Sequence, residues 1–215
     1  MLGSRSRQEK REKILQAALA AYARYGIHRA TARQIAEIAQ IGKSTIFEYF
    51  KSTDELMDAA FAYYMQKAKD MRAASHEKAG RDPAASLNAY FDNLTALIIQ
   101  APKELLLISQ YITALLSSGA DFAGVKGEYA KKLQPFADAL LDEFYLIAET
   151  GMKAGVFRPC GGLNAMDCAL ALNAFAREMQ AQAFIQDEAD IMEVCQRLKR
   201  TAFCMLGARD TDNKE

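Results

Sequence analysis

Apolar residues recur along this chain at every third or fourth position, the repeat of one helix face. No segment sustains the apolar–polar alternation of a half-buried strand, and no Asn-Gly pair marks a hairpin. Ile14, Leu15, Ala18, Leu19 and Tyr22 form the inner face of a first helix, which Gly26 stops after Tyr25. Thr31 is expected to cap a short helix to about Gln40, with Ile35, Ile38 and Ala39 inward. Gly42 breaks it, and a second short helix runs through about Tyr49 with Ile46 and Phe50 inward. Ser52 and Glu55 have the spacing of a capping box and open a long helix carrying Leu56, Ala60, Phe61 and Tyr64.

Further along, Asp82-Pro83 starts a helix lined by Leu87, Tyr90, Phe91, Leu94 and Ile98. Pro102 starts the next, with Leu105, Ile108, Ile112 and Leu115 on one face. A loop over 117–127 precedes a long helix to about Ala154, in which Pro135 is expected to form a kink. After the loop 155–162 come two last helices, roughly 162–185 and 187–206. Their stripes are Ala165, Ala169, Leu172, Phe175 and Met179, then Ile191, Val194, Leu198, Ala202 and Met205. The expected fold is all-α, with about nine helices.

The chain has 215 residues, 51% hydrophobic and 25% charged, which is a globular composition and room for one large domain or a small one plus a larger one. Every apolar run is interrupted before it could span a membrane, so a cytoplasmic protein without a membrane partner is expected. The net charge is zero, yet unevenly spread: residues 1–51 hold ten Lys/Arg and four Asp/Glu, and residues 52–215 hold 17 and 23. A head of +6 on a body of −6 suits a polyanionic partner for the head. Four cysteines, Cys160, Cys168, Cys195 and Cys204, form no C-x-x-C pair, and His28 and His76 lie far from them. No metal site is expected; the four read as free thiols in a reducing compartment, and Cys168, Cys195 and Cys204, on or beside the last two stripes, as buried structural groups. His28 and His76 read as surface residues.

The stretch Gly42-Lys43-Ser44-Thr45 looks like the end of a phosphate-binding loop. That loop needs a glycine five residues earlier, where Glu37 stands, and a preceding strand, where a helix is expected. A helix-turn-helix explains the same residues better. Thr31–Gln40 is its first helix, Ile41-Gly42 its turn and Lys43–Tyr49 its second. Small polar residues at the start of a short helix allow entry into a major groove ~12 Å wide.

The span 11–56, REKILQAALAAYARYGIHRATARQIAEIAQIGKSTIFEYFKSTDEL, resembles the DNA-binding head of the TetR family of bacterial transcriptional regulators. The match runs from Ile14-Leu15 and Ala17-Ala18 through Gly26, Thr31, Ile35-Ala36, Thr45-Ile46-Phe47 and Tyr49-Phe50 to Leu56. The resemblance implies a three-helix head over 1–51 and an effector-binding and dimerising body over 52–215. It implies that Lys43 and Ser44 reach base edges. It also implies that Thr45, Phe47 and Tyr49 meet phosphates and thymine methyls, and that Arg33 and Lys51 lie near the backbone. Three positions depart from the family pattern: Gly42 for a capping Ser, Phe47 for a Tyr, and Thr53 for a Lys.

The function expected is that of a repressor. It would bind a palindromic site on double-stranded DNA as a homodimer through its last two helices, and a small, largely apolar effector would release it. The middle helices are rich in aromatic residues, and Tyr64, Phe91, Leu94, Ile108, Tyr111, Phe136, Phe144 and Asn173 are the candidate effector contacts. No catalytic grouping and no cofactor motif is visible. The rival readings are a DNA-binding architectural protein without an effector and, further off, a nucleotide-binding enzyme.

Overall fold

A computed structural model describes residues 2–80, 82–100, 102–117, 122–185 and 187–208. Among them are nine α-helices, one short 3-10 turn (Cys160–Gly162) and no strand: α1 Leu2–Tyr25, α2 Ala32–Ala39, α3 Lys43–Tyr49, α4 Thr53–Ala79, α5 Pro83–Gln100, α6 Pro102–Ser117, α7 Phe122–Lys153, α8 Ala165–Gln182 and α9 Glu188–Met205. Contacts group these into two units, one of Met1–Asp70 with Lys103–Val125 and one of Met71–Pro102 with Lys126–Glu215.

In the first unit α1 packs on α2, and α2 on α3. Ile14, Leu15, Ala18, Ala21 and Tyr22 of α1 are buried with Ile35, Ala36 and Ala39 of α2, and with Ile46 and Phe50. Leu19 and Ile38 are only half-buried. From α4, Leu56, Ala60 and Phe61 join this core. The Tyr22 phenol has its pKa pushed up, by burial first and then by Asp54 and Asp58.

The caps explain where the head's helices begin. Thr31 Oγ1 accepts from the Gln34 N–H while Gln34 Oε1 accepts from the Thr31 N–H, closing a reciprocal box. At α4, Ser52 Oγ accepts from the Glu55 N–H at 3.0 Å, but the Glu55 carboxylate reaches one residue further back, to the Lys51 N–H at 2.7 Å. The stop after α2 differs from expectation. The left-handed residue is Gln40 (φ 54°, ψ 47°), whereas Gly42 is extended (φ −69°, ψ 145°). A side chain at left-handed φ costs about 1–2 kcal/mol, and glycine loses about 0.5–1 kcal/mol more entropy on folding than alanine. Gln40→Gly is therefore expected to raise stability by up to about 1 kcal/mol, read as a higher melting midpoint.

In the second unit α8 packs on α9, and α5 on both. Phe91, Phe144, Phe157, Leu87, Leu172, Met179, Ala202 and Phe203 are buried there. Lys199 of α9, 8% exposed, donates from Nζ to Asp92 of α5 at 2.7 Å. Phe157 lies so close to α7 that a Cβ on Gly151 would meet its ring at 2.1 Å, so that glycine makes the contact possible.

Two boundaries depart from the sequence reading. α7 starts at Phe122 rather than after Gly127, because once a helix is nucleated each added residue brings a hydrogen bond and Gly124 and Gly127 are tolerated. It runs on through Pro135 as one helix. α8 starts after Asn164, whose Oδ1 accepts from the Met166 and Asp167 N–H groups at 2.8 and 3.0 Å, a stronger start signal than the glycines before it. Residues 118–121 of the expected loop lie outside the described residues, as do the side chains of His76, Leu105 and Leu115.

Candidate nucleic-acid interface

The core holds α3 by one face. Ile46 and Phe50 point inward at 1% and 2% exposure, which leaves Lys43, Ser44, Phe47 and Glu48 exposed at i, i+1, i+4 and i+5. Phe47, a large apolar ring, is 45% exposed. Thr45 and Tyr49 are half-buried at the edges of this face, and Lys51 is exposed just beyond it. Arg33 is exposed on α2, with Nε donating to Glu37 at 3.1 Å. That is a solvent-facing i,i+4 pair of the kind worth little, so a phosphate can compete for the guanidinium. His28 is exposed beside α2.

All seven residues expected to meet DNA therefore belong to α2, α3 and the residue or two after α3. Glu48 was not foreseen, although its i+4 spacing from Ser44 would have found it. An exposed carboxylate on this face can accept from a cytosine amino group. Arg7 and Arg11 were foreseen only as part of a basic run. The Arg7 guanidinium lies 5.7 Å over the Tyr49 ring and that of Arg11 5.2 Å over the Phe50 ring. No short-range pattern links positions 42 or 39 residues apart.

The start of α3 is under-capped: Gly42 is its N-cap and makes no side-chain bond. A Cβ there would meet Ser44 Oγ at 3.6 Å and Thr45 Oγ1 at 3.8 Å, ordinary contacts. Gly42→Ser is expected to stabilise the head by about a few tenths of a kcal/mol, measured by thermal melting.

The expected effector residues fall into both units. Tyr64, Ile108 and Tyr111 belong to the first. Tyr111 is buried, stacks on Phe61 (3.9 Å, 8°) and donates from its hydroxyl to Asp58 at 2.9 Å, while Gln110 Oε1 accepts from the Ile27 N–H at 3.4 Å. These bonds tie α6 to α4 and to the turn after α1. Phe91, Leu94, Phe136, Phe144 and Asn173 belong to the second unit. Phe91, Leu94 and Phe144 are buried, with Tyr90 edge-on to Phe91 at 5.7 Å and to Phe144 at 4.7 Å. Phe136 and Asn173 are half-buried.

A polar feature beside them was missed: Arg72 Nε donates to Glu143 Oε2 at 3.0 Å, both half-buried and 71 residues apart. Burial pushes the neighbouring Tyr90 phenol's pKa up, with Arg72 opposing and Glu143 adding to the shift.

The thiols divide. Cys168 and Cys195 are buried, and burial raises both pKa values, which lowers their reactivity. Cys160 and Cys204 are exposed, contrary to the buried role expected for Cys204. Among the described residues no group of three or more His, Cys, Asp or Glu could hold a metal ion, and no helix is long and apolar enough to cross a membrane.

A short helix with an exposed, largely polar face, set on two supporting helices with phosphate-competent cations beside it, is a helix-turn-helix DNA-reading head. The sequence profile of bacterial regulatory proteins of the tetR family matches residues 14–60. The transcriptional repressor KstR of Mycolicibacterium smegmatis is 31% identical over 144 residues, 66% of this chain and 68% of that one. A TetR transcription regulator from Haloarcula marismortui superposes with a TM-score of 0.77 over 93% of this chain and 99% of that one, at 18% identity. The regulator FadR of Bacillus subtilis, solved in complex with stearoyl-CoA, does so with 0.66 over 92% and 99%, at 16% identity. At these identities the structural likeness is one of fold. The chain belongs to the TetR family and is a DNA-binding transcriptional regulator.

Proposed function

We propose that the protein is a homodimeric repressor that binds a palindromic operator and is released by a small, largely apolar effector. Residues 1–51 serve as the DNA-binding domain and 52–215 as the effector-binding and dimerising one. The observation that carries this is the exposed Lys43, Ser44 and Phe47 face of α3, an apolar ring among polar groups that remains 45% exposed among the described residues. Similarity to a repressor, and to a regulator solved with an acyl-CoA, favours repression and an apolar ligand. Phe91, Leu94, Phe136 and Phe144 supply an apolar environment in the second unit, with Asn173 as a polar contact. Tyr64, Ile108 and Tyr111 carry the response within the head's own unit, since Tyr111 bonds Asp58 and stacks on Phe61 of α4.

Dimerisation is supported by apolar side chains exposed on the last two helices: Met166 and Leu170, one turn apart on α8, and Met192 on α9. Leu170→Glu is expected to yield monomers by light scattering on a sizing column, with the helical circular dichroism retained.

The DNA reading is tested by enriching duplexes from a randomised pool and measuring binding against salt. Enrichment of a two-fold symmetric site, with affinity well above that for random duplex, is expected. Equal affinity for both at every salt concentration would sink the specific-repressor reading.

A further inference from the structure

The start of α1 is basic: its first 13 residues hold five Lys/Arg against Glu9 and Glu12. A solvated run of this kind usually has no defined place. Here it has one. Arg7 and Arg11 are one helical turn apart, on the side of α1 that continues into the buried Ile14 and Leu15. Their guanidinium groups lie over Tyr49, the last residue of α3, and Phe50, the residue that follows it. The same face of α1 that builds the core thus reaches, two turns earlier, the far end of the DNA-reading helix.

Arg11 is half-buried, while Arg7 remains exposed, with Lys10 and Lys13 exposed on the same helix. Glu12 accepts a hydrogen bond from Gln8 at 3.0 Å, next to Arg7 in sequence. A guanidinium stacked on a ring uses its planar face and keeps its N–H edge for hydrogen bonding, and that edge matches a phosphate. Stacking also fixes the group before DNA arrives, so less freedom is lost on binding.

We propose that Arg7, positioned by the Tyr49 ring, binds a DNA backbone phosphate, so that the interface extends from α3 onto the first turns of α1. This rests on the DNA-binding reading above. Arg7 would then add affinity without reading sequence, because phosphates are alike at every step.

The test uses full-length wild type, Arg7→Ala and Arg7→Lys on two duplexes of about 30 base pairs, one enriched by the wild type and one of random sequence, over roughly 50–200 mM salt. Arg7→Ala is expected to weaken both duplexes by the same factor and to reduce the slope of log K against log salt by ~0.9 per protomer. Arg7→Lys, which restores the charge, is expected to restore the slope. Melting temperatures should match, since the side chain is exposed. Salt-dependent wild-type binding with an unchanged Arg7→Ala slope would overturn this inference alone, as would a loss confined to the enriched duplex. Wild-type protein that binds neither duplex would overturn this inference and the DNA-binding reading together.

Discussion

Phe144→Ala is expected to lower the free energy of unfolding by about 3–5 kcal/mol. The ring is fully buried on α7, and Tyr90 packs against it at 4.7 Å while also meeting Phe91 edge-on at 5.7 Å. Removing it takes the ring's transfer energy and leaves a void that two aromatic neighbours, each held by other contacts, cannot close. Burial thus argues that Phe144 is first a core residue. Phe136, eight residues before Phe144 on α7, is half-buried, and Phe136→Ala is expected to cost much less because its ring already meets solvent on one side. Denaturant titration checks the pair: the Phe144 midpoint should fall with the slope unchanged. An effector space opening beside the ring would leave it fewer neighbours to lose. Its midpoint would then barely move while effector release of DNA changed.

Lys43→Ala is expected to weaken DNA binding in one of two ways that salt distinguishes. A contact to a base edge would cost about 1–3 kcal/mol and relax specificity at one base pair. A contact to a phosphate would weaken all duplexes alike and reduce the salt slope by ~0.9 per head. Lys43 is the first residue of α3 and is exposed, so it can reach either. Stability should stay within about 0.5 kcal/mol of wild type, as for most surface substitutions. An affinity unchanged on every duplex would remove Lys43 from the interface.

The two substitutions test different units, and they correspond to different degrees of legibility in the sequence. The head could be read almost residue by residue. Its helices are short, its stripes have clear period, and Thr31 and Ser52 announce two of the starts. The exposed face of α3 follows from the same periodicity, since fixing Ile46 and Phe50 inside leaves Lys43, Ser44 and Phe47 outside. The left-handed stop at Gln40 was not legible beside a more obvious glycine. Backbone strain of that kind is set by how α2 and α3 pack, not by the residue's own preference.

Local order along the chain determined the helical class, the basic head and the helix-turn-helix, because caps and amphipathic faces depend on neighbours within one or two turns. Only the tertiary structure decided which distant residues meet. Arg7 over Tyr49, Tyr111 on Asp58, Arg72 on Glu143 and Lys199 on Asp92 join positions 42, 53, 71 and 107 residues apart. Pairs so far apart leave no periodic trace. They exist because packing brings two helices side by side, and where it buries a charge or hydroxyl, as at Lys199 and Tyr111, that group must find a partner there.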